Sequence, residues 1–300
     1  MKKKWLFACM ISSMLVLFSI VSAKAAHALY TPEIKQADSW LYQLQDADID
    51  DISATDFDVV VIDYAKDGTD DTAYSREDIQ QLQESGKIVL AYLSLGEAED
   101  YRFYWDDEWN DSSPNWLGPE NPNWEGNYKV KYWQSGWWDS ALQPYLVRIN
   151  DAGFDGVYLD IIDGYEYWGK RGYSKKQSAR RMVSLIQKVR KSMNTSNPIV
   201  CPQNGEAIIE DAPKKYRKKY WRSIDCIGVE DLFFHATKAD RTYRKQLFKK
   251  FHKNEKVILN VEYVKKSKQQ KYLQKVNTQA FPIIPYRATP NRELDGIVQQ

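Results

Sequence analysis

Histidine is the scarcest chemically useful residue in this chain: three in 300, at positions 27, 235 and 252. A zinc hydrolase needs two or three histidines at fixed spacing, and these three do not supply it. There is no Gly-x-Ser-x-Gly elbow, and the lack of a suitably placed histidine weakens any serine triad. Glycine-rich signatures of dinucleotide or phosphate binding are also missing. No cofactor and no metal are therefore expected. An excess of one charge is absent too, since 42 Lys and Arg face 41 Asp and Glu, which gives no reason to expect nucleic acid as the main partner.

Cysteine is equally rare, with Cys9, Cys201 and Cys226. A disulfide framework does not hold such a chain together; a core of this size does. Cys201 and Cys226 fall on consecutive candidate strands, so a single bridge is conceivable. If Asn204 and Glu230 both face inward, however, strand alternation sends the two cysteines to opposite faces. Two buried thiols are the expectation.

No linker rich in Gly, Ser or Pro divides the chain, and no repeat is visible. The one long apolar run is at the start, where Met1-Lys2-Lys3-Lys4 precedes Trp5 to Val21, followed by Ala23-Lys24-Ala25 and Ala26-His27-Ala28. A basic region, an apolar region and small-residue cleavage sites form a secretory signal. Residues 1–28 are read as that signal and 29–300 as one domain, with a retained membrane anchor as the alternative. Without the signal, 38 basic residues face 41 acidic ones. The expected mature protein is secreted, monomeric and not stably inserted in a membrane. Two basic clusters, 214–219 and Lys265-Lys266, read as solvated helix faces or as contacts for anionic envelope polymers.

Eight candidate strands can be read in turn, at 40–44, 59–63, 88–94, 156–160, 199–204, 227–230, 257–262 and 282–286. Helical patterns lie between them at 75–85, 138–152, 174–193, 238–252 and 267–277. Ser75-Arg76-Glu77-Asp78 caps the first of these, and Met182, Leu185, Ile186 and Val189 keep helical spacing in the third. Alternating strands and helices indicate a parallel sheet, and eight such units a closed (β/α)8 TIM barrel of α/β class. One insertion breaks the pattern. From Tyr101 to Ser135 no helix is clear, yet seven of the eleven tryptophans lie between 105 and 138. This Trp-rich loop follows the third strand, so it would overhang the mouth, either as a private mini-core or as an aromatic wall for sugar rings.

The chemistry is expected at the carboxyl ends of the strands. Tyr42, Asp63, Tyr92, Ser94, Glu97, Asp160, Asp163, Asn204, Glu206, Glu230, Glu262 and Tyr286 stand there. Acids, amides and tyrosines suit glycoside hydrolysis, which takes one carboxylic acid to protonate the leaving oxygen and one carboxylate to attack or to activate water. Asp160 and Glu230 are the first choice for that pair. Val157, Leu159 and Ile161 alternate with Gly156, Tyr158 and Asp160, which puts Asp160 on the interior parity, and Glu230 shares the parity of Gly228. Gly156 and Gly228 leave room beneath them. The remaining residues, with Tyr165, are expected to position substrate.

The stretch Gly153-Phe154-Asp155-Gly156-Val157-Tyr158-Leu159-Asp160-Ile161-Ile162-Asp163-Gly164-Tyr165-Glu166-Tyr167-Trp168 resembles the endo-α-1,4-polygalactosaminidase family, glycoside hydrolase family 114. It is also similar to related barrel hydrolases of Pel-type exopolysaccharide systems. The resemblance extends to residues 91–99, Gln203-Asn204-Gly205-Glu206, Gly228-Val229-Glu230 and Pro285-Tyr286. It implies a secreted TIM barrel that cuts within α-1,4-linked galactosamine or N-acetylgalactosamine polymers, with Asp160 as nucleophile and Glu230 as acid/base. A non-catalytic carbohydrate-binding surface protein and a glycosidase acting on another envelope glycan remain the alternatives.

Overall fold

The computed structural model describes residues 33–109 and 113–300, so the signal at 1–28 lies outside the described residues. Eight parallel strands come in the expected order: β1 (Trp40–Tyr42), β2 (Val59–Ile62), β3 (Ile88–Ser94), β7 (Gly156–Asp160), β8 (Ile199–Pro202), β9 (Cys226–Glu230), β10 (Val257–Tyr263) and β11 (Ile284–Ala288). β1-β2-β3-β7-β8 form one continuous ladder and β9-β10-β11 another. The two ladders meet at both edges. Gln203 bridges to Gly228 between β8 and β9, and the Trp40 indole donates to the Ile284 carbonyl between β1 and β11 (3.1 Å). The ring is a (β/α)8-type barrel.

Each of the seven connections between barrel strands carries helix, among them Arg76–Glu84, Gln143–Ala152, Lys175–Ser192, Lys214–Ser223, Lys238–Lys253 and Gln269–Asn277. After β11 no eighth helix follows among the described residues. The tail instead turns back over the mouth, where the Leu294 carbonyl accepts the Leu44 and Gln45 amides (2.8 and 3.2 Å).

The barrel interior is aromatic. Trp40 and Tyr42 stack at 5.8 Å, and Tyr158 packs on Trp40 and Tyr42 at 6.1 and 5.2 Å, with Tyr286 5.7 Å from Trp40. All four are buried. Such wide rings fit only because glycine stands opposite: a Cβ on Gly228 would lie 1.8 Å from the Tyr158 hydroxyl oxygen.

Two expectations need correction. Cys201 and Cys226 face each other across β8 and β9 with Cα atoms 4.7 Å apart, and they form a disulfide. The parity argument failed because Asn204 lies past the end of β8 with a left-handed backbone (φ 54°). The interior position belongs to Gln203, which accepts the Tyr42 hydroxyl (2.9 Å) and shares its side of β8 with Cys201.

The insertion, expected as irregular, is an antiparallel sheet of β4 (Glu97–Glu99), β5 (Leu117–Asn121) and β6 (Trp124–Val130) in the order β4-β6-β5. Its tryptophans pack mainly on one another: Trp105 on Trp109 at 5.3 Å, Trp109 on Trp116 at 4.8 Å, and Trp116 on Trp137 at 5.1 Å. Trp124 is the exception, 54% exposed at the start of β6.

Replacing Gly228 with Ala is expected to destabilise the protein by about 1–3 kcal/mol through overpacking. Adding Tyr158→Phe, which removes the atom in closest conflict, is expected to recover part of that loss. Chemical denaturation of the two variants checks both.

Candidate active site

Three successive strands, β7, β8 and β9, end in the same way. Each is followed by a non-glycine residue in the left-handed region: Ile161 (φ 54°), Asn204 (φ 54°) and Asp231 (φ 57°). A β-branched residue rarely adopts this conformation, and such strain collects where the structure over-determines it. The turn at Ile161 brings its own amide onto Asp160 Oδ1 (2.6 Å). Gly96 makes the turn possible, since a Cβ there would stand 2.4 Å from the Ile161 carbonyl oxygen.

Asp160, at the end of β7, and Glu230, at the end of β9, sit one strand apart and point into the same compartment above Tyr158. Asp160 Oδ2 accepts the Tyr92 hydroxyl (2.9 Å). Burial raises the Asp160 carboxyl well above the usual carboxylate range, and the charge of Glu230 is the next largest cause. Glu230 accepts Asn204 Nδ2 on one oxygen (3.1 Å) and the Tyr263 hydroxyl, in a short contact, on the other.

A second layer of arginines holds these partners. Arg244 donates to the Glu230 carbonyl (3.0 Å) and to Asn204 Oδ1 (3.3 Å), and pairs closely with Glu206. Arg292, on the returning tail, pairs with Asp231 (2.5 Å) and lies 4.3 Å over the Tyr263 ring.

The other expected site residues divide. Tyr92, Asn204, Glu206 and Asp163 join the mouth. Asp163 is open to water on one side, yet enough protein surrounds its carboxyl that desolvation, then the charge of Glu166, push it up to about 6. Asp63 is buried in an ion pair with Arg102 (2.7 Å), which also binds Glu99 (2.8 Å). Glu97 is fully buried and serves the insertion, accepting Lys129 and Asn121. Ser94 bonds the Glu97 carbonyl (2.9 Å) and so braces the turn into β4.

Tyr42 and Tyr286 belong to the aromatic floor. Tyr165 is buried at the edge of the barrel, donating to Asp211 (2.8 Å). Glu262 faces out of the barrel, where it accepts the amides of Phe233 and Phe234 (2.6 and 3.3 Å), and burial pushes it up to about 7. Sequence reading missed Glu99, Arg102, Arg244 and Arg292. The three arginines come from an insertion, a helix and the tail, so no strand-end pattern could mark them. Among the described residues no cluster of His, Cys, Asp or Glu is placed to hold a metal ion.

A closed parallel barrel with two carboxylates at the ends of alternate strands is an arrangement compatible with a glycoside hydrolase. The model of glycoside-hydrolase family GH114 matches residues 21–300, and the chain belongs to that family. Among curated proteins it is 41% identical over 273 residues to an uncharacterised protein of Methanocaldococcus jannaschii, covering 86% of this chain and 77% of that one. An uncharacterised protein of Thermotoga maritima is 37% identical over 275 residues, covering 86% and 82%. The fold is shared with Ega3 of Aspergillus fumigatus, solved in complex with galactosamine (TM-score 0.64, 19% identity, 89% and 97% coverage). It is shared equally with the glycoside hydrolase domain of PelA from Pseudomonas aeruginosa (TM-score 0.64, 15% identity, 87% and 97%).

The raised Asp160 gives a signed prediction. A carboxyl whose folded pKa lies above its unfolded value costs stability once pH exceeds the unfolded value. Asp160→Asn is therefore expected to melt at a higher temperature than the native protein at pH 7–8. The gap is expected to close as pH falls and Asp160 takes up its proton. Thermal melts from pH 4 to 8 measure it.

Proposed function

We propose that this protein is an endo-acting hydrolase of an amino-sugar polysaccharide, of the α-1,4-linked galactosamine or N-acetylgalactosamine class. The observation that carries this reading is the pairing of Asp160 and Glu230 in one enclosed compartment, each carboxylate held by a tyrosine and a second donor. Two carboxyl groups in one site can divide between them the two functions that acetal cleavage requires, an acid for the leaving oxygen and a carboxylate for attack. Family membership supports the hydrolytic class, and the galactosamine bound to Ega3 supports the sugar.

In the proposed mechanism, Glu230 protonates the leaving glycosidic oxygen while Asp160 attacks the anomeric carbon. Water, activated by Glu230, then releases the glycosyl group with retained configuration. Asp160 suits the nucleophile's role because the Ile161 amide and the Tyr92 hydroxyl fix both of its oxygens. Acidic neighbours such as Asp163 suit a substrate with free amines. The amino-terminal segment supports secretion as the setting, and no described helix is long and apolar enough to cross a membrane.

Incubating the protein with partly deacetylated galactosaminogalactan and with Pel-type polymer, followed by mass spectrometry, is expected to yield oligosaccharides. Binding without product overturns the hydrolase reading. Asp160→Asn and Glu230→Gln are each expected to keep the fold and to lose at least about 10²–10⁴-fold in rate. On a substrate with an activated leaving group, azide is expected to rescue Glu230→Gln with a glycosyl azide of retained configuration, and any rescue of Asp160→Asn is expected to give the inverted one. The reverse pattern exchanges the two roles.

The exposed ring of Trp124 is offered as a face for sugar C–H surfaces. Trp124→Ala is expected to raise KM several-fold with kcat little changed, measured on polymer.

A further inference from the structure

Away from the mouth, on the outer wall of the barrel, two helices carry a charge pattern of which the hydrolytic site uses only Arg244. Lys214–Ser223 and Lys238–Lys253 together hold thirteen of the chain's 42 basic residues and one of its 41 acidic ones, Asp240. The rest of the chain is consequently acidic, as is the mouth.

Between these helices runs a groove of about 410 Å³, lined by Lys214, Arg217, Lys218, Trp221 and Lys250. Trp221 is half-buried in it, its ring held 4.8 Å from Phe251. Glu210, the acid at its edge, is already paired with Lys250 and with the Tyr243 hydroxyl.

Two observations set this face apart from an ordinary solvated helix. Lys214 and Lys218, like Lys215 and Lys219, are like charges one turn apart, and the helix has no acid in its first turn to meet its positive end. That arrangement works against folding and has no compensating ion pair within the helix. Second, the Arg217 Nε is enclosed beside the groove and meets no acceptor among the described residues.

We propose that this groove binds an anionic glycan, a sugar chain that bears carboxylate or phosphate groups. Lysines dominate both helices, and a flexible ammonium answers a mobile, repeating anion without demanding fixed bidentate geometry. A single tryptophan face suits one sugar ring, whereas a single-stranded nucleic acid is held by a succession of aromatic stackers. The proposal does not depend on the chemistry of the mouth: the barrel would hold an acidic polymer on its flank while a different chain occupies the cleft.

The test uses the full chain and polygalacturonate as probe, with neutral dextran and a single-stranded oligonucleotide for comparison, titrated at rising NaCl. Binding to polygalacturonate that weakens with salt is expected. The variant Lys214→Gln/Arg217→Gln/Lys218→Gln is expected to bind at least tenfold more weakly. Lys265→Gln/Lys266→Gln/Lys268→Gln, elsewhere on the surface, is expected to bind as the native protein does. If the first variant melts early, Lys214→Gln/Lys218→Gln, which leaves Arg217 in place, is expected to lose at least threefold. Unchanged affinity in the groove variants, or an equal loss in the control variant, overturns the site. Tighter binding of the oligonucleotide than of polygalacturonate overturns the assignment to a glycan.

Discussion

The repulsion between two carboxylates enclosed in one space is the constraint around which this barrel is built. Among the described residues, no arginine or lysine pairs directly with the carboxylate of Asp160 or Glu230. Each is held instead by neutral donors: the Ile161 amide and Tyr92 on one, Asn204 and Tyr263 on the other. The arginines stand one residue further out, on Asn204, Glu206 and Asp231. This arrangement fixes the positions of both acids while no cation sits on either carboxylate among the described residues.

The cost of holding the acids there is carried by the backbone. Left-handed residues follow β7, β8 and β9, at the rim where the donors must be aimed. Ile161 is the most constrained, and it is tolerated because Gly96 makes room for it at the root of the insertion. The turn that orients Asp160 thus depends on the segment that builds the neighbouring sheet. Beneath the rim, the aromatic floor of Trp40, Tyr42, Tyr158 and Tyr286 fills the barrel and keeps water from approaching the acids from below.

The tryptophan-rich insertion shows how a long excursion is stabilised. It has its own sheet and its own ring stack, and its buried acids are tied to cations, Glu97 to Lys129 and Glu99 to Arg102. Arg102 also reaches Asp63 at the end of β2, so the insertion is locked to the barrel rim by a buried ion network. Most of its tryptophans are thereby committed to packing, which leaves Trp124 facing water.

All eight strands, the helices at 76–84, 143–152, 175–192, 238–253 and 269–277, and the inward direction of Asp160 and Glu230 were legible in the sequence. They follow from local rules: a period of two, a period of 3.6, and caps beside the residues that they cap. What was not legible lies where the chain leaves those rules. The left-handed backbone at Asn204 broke the parity that would have separated Cys201 from Cys226. Glu262 and Tyr165, which by position belong to the mouth, were claimed by the Phe233 and Phe234 amides and by Asp211. Arg244 and Arg292 reached the site from a helix and a tail far along the chain. Alternation of side chains is a property of the strand itself, so sequence alone determined that Asp160 and Glu230 point inward. Which partners meet those acids depends on contacts between distant segments, and only the closed barrel decides them.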